Sequence, residues 1–185
     1  MEAKMHKFIL WISFLFLPAI TFSQNVVLNS TAGKSSIKYE LRHPTHNVIA
    51  TSKELQVKIE YDKAKNAILN AIAQIKVSSF DSGNSNRDSH AMELIEAMKY
   101  PLAKFRSGKI VDNGDSLTIY GDLTFHNVTK NITIKAKKWI NSNILAVKGS
   151  FAISLDEFKV ERPTLLFIPT EEYLRFEFYC EFIIK

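Results

Sequence analysis

The stretch SFDSGNSNRDSHAMELIEAMKYPLAKFRS, Ser79 to Ser107, decides how the chain folds. A strand-like run ends in Phe80, and a loop of Gly, Asn and Ser follows. A short helix is predicted near residues 89–98, starting around Asp88 to His90, with Asp88 or Ser89 accepting from its free backbone N–H groups. Met92 and Ile95, with Ala91 and Met98, fall on one face of it. The helix must stop at Tyr100-Pro101, because proline disfavours helical geometry in the residue before it. A strand then resumes.

Working outward from that helix, the apolar pattern has a period of two. Leu55, Val57, Ile59 and Tyr61 alternate with Gln56, Lys58 and Glu60, and Ala71, Ala73, Ile75 and Val77 with Ile72, Gln74 and Lys76. Further rows are Leu117 to Phe125, Ile132 to Ala136, Leu145 to Ile153, and Leu174, Phe176, Phe178, Cys180 and Phe182. Alternation of this kind marks strands with one apolar and one wet face, as in antiparallel sheets. Asp112-Asn113-Gly114-Asp115 reads as a tight hairpin, since Asn-Gly tolerates positive φ. Asn141-Ser142-Asn143 and His126 to Lys130 are further short links. Asp156 to Thr170, with Pro163 and Pro169, reads as a long loop crossing a rim. Gly121 and Gly149 lie inside strands, where glycine marks a bend or a close approach. The fold class predicted is all-β: an antiparallel barrel of about eight strands, the number that just admits side chains or one small ligand. One short helix is inserted between strands, and residues 24–185 form one domain.

Residues 1–23 read as a secretory signal peptide. Lys4 and Lys7 precede the apolar run Phe8 to Ile20, and Thr21-Phe22-Ser23 leads to Gln24. The run is shorter than the ~20 residues a membrane span needs, so an exported protein, periplasmic or secreted, is expected. Loss of Lys4, Lys7 and Glu2 with the leader lowers the formal charge from +5 to +4. The remaining basicity is scattered, as in Lys135-Ala136-Lys137-Lys138, and reads as a solvated face. A nucleic-acid partner would need a concentrated basic patch with a reading element. The chain has one cysteine, Cys180. It therefore has no intrachain disulfide, and its place on an apolar row predicts a buried, unreactive thiol.

The opening stretch also carries a likeness. F-x-x-G from Phe80, R-D-x-H at Arg87, Asp88 and His90, and Y-P-x-x-x-F from Tyr100 to Phe105 resemble the signature of the YceI-like family. The likeness extends to Tyr120–Lys130, YGDLTFHNVTK, and to Phe151–Phe158, FAISLDEF, although Lys159 stands where that family often has glycine. Ser36-Ile37-Lys38-Tyr39 and Arg42 to His46 are approximate counterparts of its opening segments. The resemblance implies a lipocalin-like barrel whose tunnel takes a long apolar chain: an isoprenoid quinone, a polyprenyl or a fatty acyl group. It implies passive binding, with no covalent step, no cofactor and no metal. A ten-residue strand spans ~33 Å, and burial is worth ~0.8 kcal/mol per CH₂. Such a chain can therefore bind without polar contacts.

Ile75, Phe105, Leu123, Phe151, Phe176 and Phe178 are the candidate lining residues. The same residues would serve equally to fill a collapsed core. Arg87 and His90 are candidates for meeting a polar head group, since a helix N-terminus favours negative charge. Their structural reading is that Asp88 caps the helix while Arg87 and His90 tie the loop to the rim. His43 and His46 form H-x-x-H, which on a strand puts the rings on opposite faces, with Pro44 able to break that geometry. Nothing reinforces a zinc site. Two other functions remain open at this point: an envelope enzyme acting on a lipid-linked substrate near Arg87 and His90, and an accessory interaction protein with a filled barrel. Transient membrane contact and a homodimer are compatible with either.

Overall fold

A computed structural model describes residues 25–165 and 167–184; the predicted leader, residues 1–23, lies outside them. The chain order is β1 (Asn25–Asn29), β2 (Ser36–His43), β3 (His46–Ser52), β4 (Gln56–Asp62) and β5 (Ala67–Lys76). A single 3₁₀ turn at Val77–Ser79 leads to α1 (Ser85–Leu94). Then follow β6 (Leu102–Asp112), β7 (Ser116–Phe125), β8 (Val128–Asn141), β9 (Ile144–Ser154), β10 (Thr164–Leu165), β11 (Ile168–Pro169) and β12 (Tyr173–Ile183). All but β10 and β11 form one antiparallel ten-stranded sheet in the order β1-β4-β5-β6-β7-β8-β9-β12-β2-β3.

The predicted fold class holds, with ten strands in the curled sheet where about eight were expected. The difference lies in the N-terminal part, where β1, β2 and β3 join the strands already legible further on. These strands also meet at the seam. Ser30, just past β1, donates to Val57 O at 2.7 Å and bridges Phe182, and Thr31 N reaches Glu181 O at 2.8 Å. Further along, Thr51 and Asp81 exchange both backbone bonds, at 2.9 and 3.0 Å. At these points edge groups that would otherwise invite foreign strands are engaged.

The alternating rows point inward as their spacing dictates. In β7, Leu117, Ile119, Gly121 and Leu123 are buried between exposed Ser116, Tyr120 and Asp122. Both strand glycines mark close approaches. A Cβ on Gly121 would lie 2.6 Å from Phe105 Cζ, and one on Gly149 2.6 Å from Phe178 Cζ.

Several local expectations are corrected. The helix begins at Ser85, earlier than predicted, because Asn84 is its cap and accepts from Arg87 N at 3.1 Å. Asp88 instead accepts from Ser82 N at 3.2 Å. The helix ends at Leu94, and Glu96 takes a positive φ of 47°, which turns Met98 out to solvent rather than onto the inner face. The Asn113-Gly114 link is a three-residue loop in which Gly114 alone of the two has positive φ. The two-residue turn with both residues left-handed is His126-Asn127, at 48° and 57°. The long loop contains the small hairpin of β10 and β11.

Lys138 is the clearest correction to the solvated basic run. It follows Ile134 and Ala136 on the inward row of β8, so it is buried, and its ammonium meets Asp112 Oδ2 at 2.5 Å and the carbonyl of Asn66. Asp112 also accepts from Ile68 N at 3.0 Å, and Tyr61 OH donates to Asn66 Oδ1. These groups close the end of the barrel that carries the β4–β5, β6–β7 and β8–β9 turns. Removing one partner of a buried pair strands the other charge, so Lys138→Met should cost about 3–5 kcal/mol in urea denaturation. A loss below about 1 kcal/mol would show that water reaches the pair.

Candidate functional site: an apolar cavity beneath the helix

At the opposite end lie the helical excursion, the His126 turn, the β9–β12 loop and the β2–β3 turn. Behind them the barrel interior encloses a cavity of about 210 Å³. One water needs only ~10–15 Å³ of such space, so this is a true chamber rather than a packing defect. Ile75, Phe105, Leu123, Phe151, Phe176 and Phe178 all line it. So do Ala91, Met92, Leu94 and Ile95, which α1 presents toward the barrel. Excursion residues on either side of α1 are tied down. Val77 N donates to Pro101 O at 3.0 Å, Asp81 pairs with Thr51, and His126 Nε2 faces Glu96 Oε2 at 3.2 Å. The helix's own side-chain hydrogen bonds are local, between residues 82 and 93. Its hold on the barrel is therefore apolar contact across the cavity.

Arg87 and His90 do not line the chamber. Arg87 donates to the Ser82 hydroxyl at 2.9 Å and to the Ser82 carbonyl at 3.1 Å, stapling the loop before the helix. His90 is solvent-exposed, 3.8 Å from Glu93. Arg87 and Asp88 order the loop locally and do not tie it to the rim, and His90 stands in solvent.

Aromatic rings form one wall. Phe151 and Phe176 stack at 4.8 Å between centroids, Tyr39 meets Phe176 edge-on at 6.3 Å, and Phe80 packs on Tyr39 at 5.2 Å. Tyr39 and Phe80 were not among the sequence candidates. The alternation Ile37, Tyr39, Leu41 between Lys38 and Glu40 carried the signal for Tyr39. Burial pushes the Tyr39 phenol above its ordinary range, and nearby Asp88 adds to the effect. Its ring is thus a neutral, polar-tipped element in an otherwise apolar wall.

His43 and His46 do not point to opposite faces. The Pro44-Thr45 turn makes them partners across β2 and β3, with rings 5.5 Å apart. Among the described residues, no group of three or more His, Cys, Asp or Glu is placed to hold a metal ion.

Comparison with known proteins gives three kinds of likeness. A family model described as YceI-like domain matches residues 29–182. A UPF0312 protein of Shewanella denitrificans is 32% identical over 126 residues, covering 66% of this chain and 66% of its own. A UPF0312 protein of Vibrio cholerae is 29% identical over 140 residues, covering 72% and 74%. Among solved structures, Burkholderia cenocepacia BcnA superposes with a TM-score of 0.73 at 21% identity, over 82% of this chain and 98% of that one. A domain from Saccharophagus degradans, described as polyisoprenoid binding and implicated in plant cell wall breakdown, gives 0.62 at 11% identity over 85% and 98%. At these identities the structures show the fold.

Cys180 lines the cavity on β12, and burial pushes its thiol from an ordinary 9 up to about 12. Below pH 9 the thiol is protonated whether the chain is folded or not. Above it only the unfolded thiol ionises, so stability falls until the folded group titrates. We expect Cys180 to account for ~1 kcal/mol of the stability lost between pH 9 and 10, so the denaturation midpoint should fall less steeply in Cys180→Ala. The phenols of Tyr39, Tyr61 and Tyr179, likewise held above their ordinary range, still contribute there. Equal slopes in the two proteins would mean that the thiol is hydrated in the fold.

Proposed function

The chain belongs to the YceI-like family, and on that premise we propose that it holds one apolar lipid chain in its barrel cavity, as a carrier or buffer. The observation that carries this reading is the chamber of about 210 Å³ with its apolar lining. A filled-barrel interaction protein would have no such chamber. Ile75, Phe105, Leu123, Phe151, Phe176 and Phe178 are the proposed contacts. The cargo is an isoprenoid-like or acyl chain, and the polyisoprenoid-binding description of the Saccharophagus relative supports the first of these. The proposed binding is passive: neither Arg87 nor His90, the residues that an enzyme reading would place at a lipid-linked substrate, lines the chamber. The leader pattern of residues 1–23 supports export to a periplasmic or extracellular site, where a water-insoluble chain would need a sheath.

Native mass spectrometry of the protein purified without detergent, followed by organic extraction, tests the proposal. A one-to-one adduct that extracts as a prenyl or acyl lipid is expected. A bare mass that stays bare after incubation with isoprenoid quinones and fatty acids would sink it. Filling the chamber should compete with cargo. Ala73 lines it, and Ala73→Trp should weaken lipid binding about tenfold or more, the equivalent of excluding roughly two methylenes. Thermal unfolding should show the barrel intact.

A further inference from the structure

The mouth of the barrel carries an apolar projection that the cavity does not use. The β9–β12 loop lines the chamber through Val160 and Pro163 and then turns outward into the β10–β11 hairpin. At the tip, Phe167 is fully exposed, at 101%, and Ile168 is 44% exposed. Phe167 has a φ of 66°, unusual for a bulky residue and costly unless its surroundings impose it. Here they do. Thr170 N donates to Pro163 O at 2.9 Å across the hairpin base. From the barrel, buried His43 reaches the carbonyl of Ile168 with Nε2 at 3.1 Å, while Thr45 N donates to its Nδ1 at 3.2 Å. A carbonyl can only accept, so these partners fix the tautomer with the proton on Nε2. The H-x-x-H segment thus acts as an anchor for this tip.

At the same end of the barrel Met98 is 99% exposed, in the turn that follows α1. That turn is fastened to the same rim, since His126 faces Glu96 with one ring nitrogen and the carbonyl of Phe158 with the other, at 3.2 and 3.1 Å. Two fully exposed apolar side chains therefore project from the open end, on separate elements, each held by a histidine.

We propose that the Phe167 hairpin, with Met98, is a membrane-docking rim that sets the cavity mouth against an uncharged or zwitterionic bilayer surface. The inference rests on the lipid-binding reading and names the surface that cargo crosses to reach the chamber. Charge argues for that partner. No charged residue falls between Arg162 and Glu171, so the tip can enter the interfacial layer without desolvating an ion. Its flanks hold Asp156, Glu157, Glu161, Glu171 and Glu172 against Lys159 and Arg162, with Arg42 and Arg175 beside Glu171, a near-neutral balance that gives anionic headgroups no special hold. Shape argues the same way: a hairpin tip is convex, and convex apolar tips insert into a fluid layer more readily than they pack on a rigid protein face. Continuity adds a third argument, because one loop supplies both the chamber wall and the projection.

The test places an environment-sensitive fluorophore on Phe167→Cys at the tip and, separately, on Ser142→Cys at the closed end. Buried Cys180 does not compete for the label. On adding phosphatidylcholine vesicles to the full chain, the label at 167 should brighten severalfold and shift to the blue, while the label at 142 stays unchanged. Admixture of phosphatidylglycerol should not strengthen the response, and Phe167→Asp should lower vesicle partition about tenfold. A silent label at 167, equal responses at both sites, or a response to protein concentration without vesicles would overturn the proposal, the last by identifying a second copy as the partner. Uptake of a fluorescent fatty acid without vesicles separates the two readings. Uptake with a silent tip removes the docking rim and leaves the carrier. A responsive tip without uptake keeps the docking rim and removes the carrier.

Discussion

Closure of the sheet is the constraint on which everything else here depends. A barrel without disulfides gains its stability from burying one face of every strand, and an open seam would expose both that face and a row of unpaired backbone groups. The ten-stranded order brings β1 and β3 to its two ends. Ser30 then joins β4 to β12 at one point of the seam, and Thr51 meets Asp81 at another. That second bridge lies in the segment leading into α1, so the bonds that complete the wall also position the helix over the cavity. Fold and site share these bonds.

The wall was largely legible in the sequence because a period of two is a local property. Rows such as Leu117 to Leu123 and Leu174 to Phe182 needed no knowledge of their partners to be assigned a face. The same rule applied one step further would have turned Lys138 inward, but a lysine beside Lys135 and Lys137 reads as solvated until Asp112 is known to lie opposite. Turn chemistry was less readable. Asn113-Gly114 has the composition of a two-residue hairpin, yet Asp112 is engaged by Lys138, Ile68 N and Gly114 N, and the link is longer. The left-handed pair fell instead to His126-Asn127, which lacks glycine altogether.

The site divides in the same way. The six lining candidates came from strand periodicity and all reach the cavity. Tyr39 sits on the alternating row of β2, whereas Phe80 joins it only through a contact across the seam, which no local pattern announces. Arg87 and His90 were singled out by a motif, and motifs do not say which way a helix faces. That was settled by Asn84, one residue before the helix, whose cap rotates Ala91, Met92 and Ile95 toward the barrel and leaves His90 in solvent.

The two ends of the barrel are not equivalent, and the buried pair of Lys138 and Asp112 makes the difference. It forms a hydrogen-bonded floor beneath an apolar shaft, so the barrel is a blind well and not a conduit. Under the proposed lipid-binding function, an amphiphile would enter it tail first, because a polar head at the bottom would find its partners already engaged. Such a cargo would have to back out through the same opening, the last part to enter being the first to leave. For a carrier built this way, loading and delivery would be one path run in opposite directions, with the direction set by whatever surface waits at the mouth.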